Sequence, residues 1–262
     1  MVHEKIDKLL KIPQFEQRSP EWFAQRKDKL TSSDAATVLG INPYSKEEEL
    51  LFKKCGIEKP FIGNVATLHG QKYEDEAIQL YCSITNRTNY DFGLLCYSDV
   101  YNKDANENHK FLAGSPDGIA INNCNEDEDP VLLEVKCPYR RPIKKGYIPT
   151  YYVPQVQLNL YICDLEIADF IEYNPKTQEL NIVRIVRDDE WLKMNIPILK
   201  DFWNTVEHYR NIGIDKHPSY DKRMKREEKR LEQKRKKMEQ EQEDNDSSDN
   251  ILEEIRKKGC LL

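Results

Sequence analysis

The chain has 262 residues, of which 39% are hydrophobic and 33% charged, with a formal net charge of −6. No apolar run approaches the ~20 residues of a membrane-spanning helix, which argues against a membrane protein. The 14 Tyr, 8 Phe and 3 Trp argue against a wholly disordered chain. The seven Cys are odd in number and never spaced C-x-x-C, which disfavours a disulfide scaffold or a zinc ribbon and favours reduced intracellular thiols.

Charge is distributed unevenly along the chain. Residues 222–237 carry ten Lys/Arg and three Glu, whereas residues 239–254 carry eight Asp/Glu and no basic residue. Such blocks repel themselves and cannot bury a core. We therefore predict an N-terminal segment over 1–12, a folded domain over 13–215, and a charged, partly helical or disordered tail over 216–262. A solvated helix is favoured over a DNA contact for the basic half of the tail.

Helix signals come first in the chain. They predict four helices, over 19–27, 32–39, 45–56 and 71–82. Ser19 followed by Pro20 is typical of a helix start. Ser45 with Glu48 three residues later predicts a capping box, and Gly56 predicts the end of that helix.

Strand signals dominate the second half. They predict strands over 93–98, 111–121, 131–137, 168–173 and 179–187. Helices are predicted around 151–163 and over 189–211. This order predicts an α/β (mixed α+β) fold in which one sheet is flanked by helices.

Two of these strands carry the residues that point to chemistry. Period-2 alternation places Glu134 and Lys136 on the same face of their strand. Asp117 on the neighbouring strand adds a second carboxylate to an otherwise apolar sheet. Burying such charges costs several kcal/mol each unless something compensates. A hard divalent cation does so through oxygen ligands, although a structural salt bridge is the alternative.

Asp117 followed by Glu134-Val135-Lys136 resembles the D…E-x-K signature of PD-(D/E)xK nucleases, which implies a restriction-endonuclease-like core. The resemblance sharpens to the lambda-exonuclease or YqaJ-type viral recombinase branch and covers roughly residues 15–210. Its segments occur in the expected order: Ser19-Pro20-Glu21-Trp22 with Arg26, Thr31-Ser32-Ser33, Gly70 to Glu74, Ser115 to Gly118, Glu134 to Pro138, and Tyr152 to Gln157.

The resemblance assigns roles to residues of this sequence. Metal ligands are implied at Asp117, Glu134, the Val135 carbonyl and Glu74. Lys136 matches the catalytic lysine and Gln155 the glutamine that closes the site. A pocket for a terminal 5′-phosphate is implied at Arg26, Ser33 and Ser115. The cofactor implied is Mg²⁺, with Mn²⁺ as an alternative, bound as two ions.

The cluster Arg140, Arg141, Lys144 and Lys145 directly follows the catalytic strand. It is the densest basic group in the predicted domain, and contact with the DNA backbone and a merely solvated loop are equally favoured interpretations. The function implied is a metal-dependent 5′→3′ exonuclease on linear duplex DNA, acting in viral recombination or repair. An endonuclease and a non-catalytic DNA-end-binding protein are the alternatives.

The same resemblance implies partners and a location. Double-stranded DNA ends are the expected substrate, a single-strand annealing protein is a candidate partner, and no membrane is involved. A ring-shaped homotrimer follows from the resemblance alone. The expected location is intracellular, in the cytoplasm or nucleus of a host cell for a viral protein.

Overall fold

The computed structural model of the protein describes residues 3–57, 65–125, 127–233 and 235–236. The chain divides into two compact units, one ending at His208 and one beginning at Tyr209. In the second unit, residues 220–233 form a helix with mostly exposed side chains. The tail over 216–262 stays a prediction, and residue 234 and residues 237–262 of it lie outside the described part of the chain.

The α-helices among the described residues before Gly213 are α1 (Glu4–Leu10), α2 (Pro20–Lys27), α3 (Ala35–Val38), α4 (Glu47–Lys54), α5 (Val65–Thr85), α6 (Tyr97–Tyr101), α7 (Val153–Ile162) and α8 (Asp189–Ile212). The strands in the same part of the chain are β1 (Leu30–Thr31), β2 (Arg87–Tyr90), β3 (Leu95–Cys96), β4 (Leu112–Gly114), β5 (Gly118–Asn122), β6 (Val131–Lys136), β7 (Ile167–Asn174) and β8 (Glu179–Val186).

Local sequence explains where several helices begin. The Ser19 hydroxyl caps α2 by accepting the Trp22 N–H at 3.1 Å, as the sequence predicts. The predicted capping box at Ser45 is wrong, because α4 begins at Glu47 after Lys46, whose side chain makes no capping bond. The predicted end of that helix is confirmed by the left-handed backbone of Gly56, at φ +91°.

The strands form two sheets among the described residues instead of the predicted one. The larger sheet has the order β2-β5-β6-β7-β8 and the smaller has the order β1-β4-β3. The predicted strand over 111–121 is broken at Ser115-Pro116-Asp117 into β4 and β5, which belong to different sheets. Proline lacks the N–H that a continuous ladder requires, which accounts for a break at this point.

Two further differences concern short elements. The predicted strand over 93–98 is only the two-residue β3, because the chain turns into α6 at Tyr97. Sequence patterns missed β2, an edge strand that pairs antiparallel with β5. Its sequence, Arg-Thr-Asn-Tyr, lacks the alternation of apolar and polar residues that marks a half-buried strand.

The catalytic strand predicted from the sequence is the centre of the larger sheet. One face of β6 packs against α5 in a core that includes Leu133, Val135, Ala77 and Tyr81. The opposite face carries Leu132, Glu134 and Lys136, and α7 supplies the side chains that reach Glu134. The predicted alternation is therefore confirmed. Among the described residues, no helix combines the length and apolar character needed to span a bilayer.

Candidate active site

Asp117 and the strand β6 meet as the sequence predicts. Asp117 directly precedes β5, which pairs antiparallel with β6 so that Gly118 lies opposite Leu133. The Asp117 carboxylate accepts the Val135 N–H at 2.7 Å. The same carboxylate oxygen lies 4.0 Å from the Lys136 ammonium. Two neighbouring strands thus bring a carboxylate and a lysine together at their paired ends.

Glu134 is the most enclosed charged group of the site, with 0% exposure. Its Oε1 accepts from the Lys136 ammonium and from Gln155 Nε2, the latter at 2.5 Å. Its Oε2 accepts from Asn159 Nδ2 at 3.2 Å. Burial raises the pKa of Glu134 to about 7, although Lys136 opposes the shift.

Lys136 keeps its proton. Burial by itself would lower the pKa of the ammonium, but the neighbouring carboxylates of Glu134 and Asp117 outweigh burial and raise it. The ammonium also lies 5.4 Å from the centre of the Tyr152 ring, within the range of a cation–π contact. Lys136 is therefore a fixed positive charge beside two carboxylates.

Glu74, on α5, adds a third carboxylate. Arg18 holds it through one guanidinium nitrogen, Nη2, which donates to both carboxylate oxygens at 3.1 Å. Burial, followed by the charge of Asp117, raises the pKa of Glu74 to about 7. Glu74, Asp117 and Arg18 line one cleft of about 550 Å³, together with Phe15 and Phe92.

The donor set suits a hard divalent cation. Asp117, Glu134 and Glu74 offer only oxygen atoms as ligands. Besides burial, the negative charge of Asp117 raises the pKa of both Glu74 and Glu134. In the described residues, no three His, Cys, Asp or Glu side chains are already gathered around one ion-sized point. The oxygens of Glu134 and Glu74 are instead held by Lys136, Gln155 and Arg18, which an ion would partly replace. The Val135 carbonyl stays a predicted ligand.

The structure brings together two of the three predicted phosphate-binding residues. Arg26 Nη2 donates to the Ser33 hydroxyl at 2.9 Å and to the Thr31 hydroxyl at 3.2 Å. The guanidinium lies over the Trp22 ring, 4.3 Å from its centre. Ser115 instead donates its hydroxyl to the Gly93 carbonyl at 2.9 Å. Ser115 nevertheless follows β4 at the same end of the smaller sheet at which Ser33 follows the parallel strand β1.

The predicted basic cluster divides into two kinds of residue. Arg141 is ion-paired with Glu172, a carboxylate of 0% exposure on β7. Arg140 and Lys144 lie near the rings of Tyr139 and Tyr147, respectively. The loop is tied down by Asn181, whose Oδ1 accepts the Gly146 N–H at 2.8 Å. Arg141 thus helps to hold this loop in place, whereas the side chains of Arg140, Lys144 and Lys145 are exposed.

Sequence patterns missed three residues that contact the predicted site. Asn159 lies four positions after Gln155, so both side chains project from the same face of α7. Thr31 shares the Arg26 guanidinium with Ser33. For these two, helix periodicity and nearness in sequence offered a signal. Arg18 offered none, because it lies 56 positions from the Glu74 that it holds.

Asn159 also explains why residue 114 is a glycine. A Cβ on Gly114 would lie 2.5 Å from Asn159 Oδ1, closer than side-chain atoms approach one another. Only glycine at the end of β4 therefore allows α7 to approach closely enough for Asn159 to reach Glu134. That Asn159 oxygen is buried without a hydrogen-bond partner in the described part of the protein.

The family model of the YqaJ-like viral recombinase domain matches residues 21–166. The chain belongs to this family. Asp117, Glu134, Gln155, Arg26 and Ser33 all lie within the matched range, whereas Arg18 lies just before it.

Two viral relatives illustrate the similarity. The chain is 35% identical to the uncharacterized protein R354 of Acanthamoeba polyphaga mimivirus over 178 residues, which are 64% of this chain and 31% of that protein. It is 31% identical to protein D345L of African swine fever virus (strain Badajoz 1971 Vero-adapted) over 158 residues, 55% of this chain and 46% of that protein. The YqaJ-like chain thus matches less than half the length of these relatives.

Solved structures show the fold. The alkaline exonuclease LHK-Exo from Laribacter hongkongensis superposes with a TM-score of 0.60 at 22% identity, covering 81% of this chain and 100% of that one. The structure of LHK-Exo in complex with dAMP gives a TM-score of 0.61 at 23% identity, with coverage of 74% and 95%. The YqaJ-like chain therefore has the mixed α/β PD-(D/E)xK fold, which confirms the fold predicted from its sequence.

Proposed function

We propose that this YqaJ-like chain is a divalent-metal-dependent deoxyribonuclease that degrades linear duplex DNA from its 5′ ends, in viral recombination or repair. The observation that carries the proposal is the convergence of Asp117, Glu134 and Lys136 on adjacent strands. A structural salt bridge would not need the further carboxylate of Glu74 in the same cleft. LHK-Exo, which shares the fold, was solved with dAMP, and a 5′-mononucleotide is the product expected here.

Each residue of the site has a defined task in this proposal. Asp117, Glu134 and Glu74 would hold Mg²⁺ or Mn²⁺, with the Val135 carbonyl. The chemistry supplied there would be a lowered pKa of water and stabilisation of the negative charge on the scissile phosphate and the leaving oxygen. Lys136 orients the attacking water and places a permanent positive charge beside the phosphate. Gln155 and Asn159 fix the carboxylate plane of Glu134 through its two oxygens.

The choice of DNA end is assigned to the Arg26 pocket. A guanidinium flanked by hydroxyl groups matches the oxygens of a terminal phosphate. Hydrolysis that leaves a 5′-phosphate on the shortened strand regenerates the group that this pocket binds. The direction 5′→3′ then follows from the positions of pocket and carboxylates. A ring trimer and a single-strand annealing partner remain predictions.

The test uses the purified 262-residue chain, Mg²⁺ and three labelled substrates: a linear duplex with 5′-phosphates, the same duplex with 5′-hydroxyls, and a closed circular plasmid. We expect mononucleotides from the phosphorylated linear duplex, much less from the hydroxylated one, and none with EDTA. Asp117→Ala protein prepared in parallel excludes a contaminating nuclease. Cleavage of the circle would assign an endonuclease. DNA binding without cleavage in any divalent metal would assign a non-catalytic DNA-end-binding protein.

A further inference from the structure

Arg18 stands at an unusual backbone position beside the carboxylates. Its φ is +71°, in the left-handed region that residues with a Cβ rarely adopt. Such a conformation persists only where the surrounding structure enforces it, and it is found preferentially at functional sites. The side chain that it directs is the one that holds Glu74.

Hydrogen bonds on both sides of Arg18 enforce this conformation. Gln17 Nε2 donates to the Phe92 carbonyl at 2.9 Å and to the Pro116 carbonyl at 3.1 Å, next to Asp117. On the other side, the Ser19 hydroxyl caps α2. The segment also passes so close to Gly93 that a Cβ there would meet the Phe15 carbonyl oxygen at 2.2 Å. The backbone of Arg18 is therefore fixed relative to Asp117.

The positive charge of Arg18 lies beside a group of carboxylates and acts on one of them, Glu74. Glu74, Asp117 and Glu134 are three carboxylates whose charges interact, and Arg18 and Lys136 are the cations that act on Glu74. Lys136 is hydrogen-bonded to buried Glu134. Arg18 is the more accessible of the two cations, with 46% of its side chain exposed, and it lines the open cleft. Its guanidinium can leave Glu74 without disturbing a packed core.

We infer that Arg18 is an exchangeable counter-cation, which holds Glu74 in the metal-free protein and gives it up when a divalent cation binds between the carboxylates. The inference rests on the metal site of the proposed function. Arg18 and the ion compete for the same carboxylate. Arg18 therefore lowers the affinity for the ion, and in return it stabilises the ion-free site against the mutual repulsion of its carboxylates.

Competition predicts an effect opposite in sign to that of a merely structural role. If Arg18 only held Glu74 in place, its removal would weaken metal binding. If it competes, Arg18→Gly and Arg18→Gln should each bind Mn²⁺ roughly tenfold more tightly, the scale of one charge-assisted interaction. Glycine also relieves the left-handed backbone, whereas glutamine does not. Arg18→Lys keeps the charge without the planar guanidinium and should show a smaller rise.

The measurement is calorimetric titration of the full chain with Mn²⁺ alone, in the absence of DNA. Gln178→Gly is the matched control, because Gln178 has φ +55° in the turn between β7 and β8, and its replacement relaxes a similar backbone without changing a charge. Its Mn²⁺ affinity should equal that of the wild type. In metal-free buffer, the melting temperature of Arg18→Gln should fall, and Mn²⁺ should raise it by more than it raises that of the wild type.

An unchanged or weakened Mn²⁺ affinity in both Arg18→Gly and Arg18→Gln would overturn the inference. So would an equal rise in Gln178→Gly, because the effect would then belong to the backbone. Failure of the proposed function is distinguishable from these results. In that case the wild type would bind Mn²⁺, and the variants would change its affinity as expected, but no DNA would be cleaved.

Discussion

Gln155 donates to the same oxygen of Glu134 that accepts the ammonium of Lys136, at a distance of 2.5 Å from Nε2 to Oε1. Two residues later on the same helix, Gln157 points to another face. There its amide nitrogen donates to the Val186 carbonyl and its amide oxygen accepts the Asp188 N–H. These two glutamines have the same chemistry and different surroundings. Gln155 therefore supports the candidate active site, whereas Gln157 supports the fold.

Replacing each glutamine by alanine should separate the two roles. Gln155→Ala removes a donor from a buried carboxylate and should lower kcat on linear DNA at least tenfold, with little change in the free energy of unfolding. Gln157→Ala should keep kcat and lower the free energy of unfolding by about 1–2 kcal/mol, because two backbone groups lose their partner. Nuclease assays and urea unfolding of both variants provide the measurement. Equal effects of both variants on kcat would contradict the role of Gln155.

Asp117 should be indispensable for hydrolysis and dispensable for binding. Asp117→Ala should retain less than about 1% of wild-type turnover, because a metal ligand and its charge are removed. Asp117→Asn should behave alike while keeping an acceptor for the Val135 N–H. Fluorescence anisotropy with labelled duplex should show that both variants still bind DNA. Substantial turnover in the asparagine variant would show that Asp117 serves only to position Val135.

Arg26 should set the preference for phosphorylated ends. Removal of its guanidinium in Arg26→Ala should reduce kcat/KM on 5′-phosphorylated duplex by roughly 10–100-fold, in the range of charged hydrogen bonds, and leave the 5′-hydroxyl duplex nearly unaffected. Lys27→Ala is the control for removal of a neighbouring positive charge. A preference that survives in Arg26→Ala would place the phosphate pocket elsewhere.

The exposed cations after β6 should contribute to the salt dependence of DNA binding. For every phosphate that the protein no longer neutralises, the slope of log K against log salt concentration falls in magnitude by about 0.9. Arg140, Lys144 and Lys145 changed together to Ala should therefore reduce the slope by roughly 2–3. Arg141→Ala should instead lower stability, because Glu172 would be left buried without its ion pair. Binding titrations at several salt concentrations and urea unfolding distinguish the two effects.

The Asp34 carboxylate should make stability depend on pH in the acid range. It is bonded to Lys54 at 2.8 Å, and although burial opposes ionisation, Lys54, Arg26 and Thr31 together lower its pKa to about 2. The pKa of Asp34 in the folded state is thus below its unfolded value of about 3.9. The ionised carboxylate therefore stabilises the protein above pH 4, and this stabilisation is lost as the pH falls towards 2. The contribution is about 2 kcal/mol.

Asp34→Asn tests this dependence. The variant should be less stable than the wild type at pH 7, and the difference in free energy of unfolding should shrink between pH 4 and pH 2. Urea denaturation at three pH values measures it. The acid dependence would have another origin if the difference stayed constant down to pH 2.

Local sequence determined most of the elements and the identity of the central strand. Strict alternation through residues 131–137 places Glu134 and Lys136 on one face, and β6 shows that arrangement. Helix geometry likewise places Gln155 and Gln157, which are two residues apart, on different faces of α7. These features depend on residues a few positions apart, whose geometry the backbone alone dictates.

Contacts between distant parts of the chain were decided only by the tertiary structure. No sequence pattern shows that Arg18 reaches Glu74 or that Arg141 pairs with Glu172, because packing of separate elements brings them together. The break at Ser115-Pro116-Asp117 likewise became visible only in the tertiary structure, where the strands before and after it belong to different sheets. An apolar run predicts a strand but not the strand with which it pairs. The sequence by itself determined which residues could carry the chemistry. Which groups compensate their buried charges was decided by the fold, because that depends on the neighbours each charge receives.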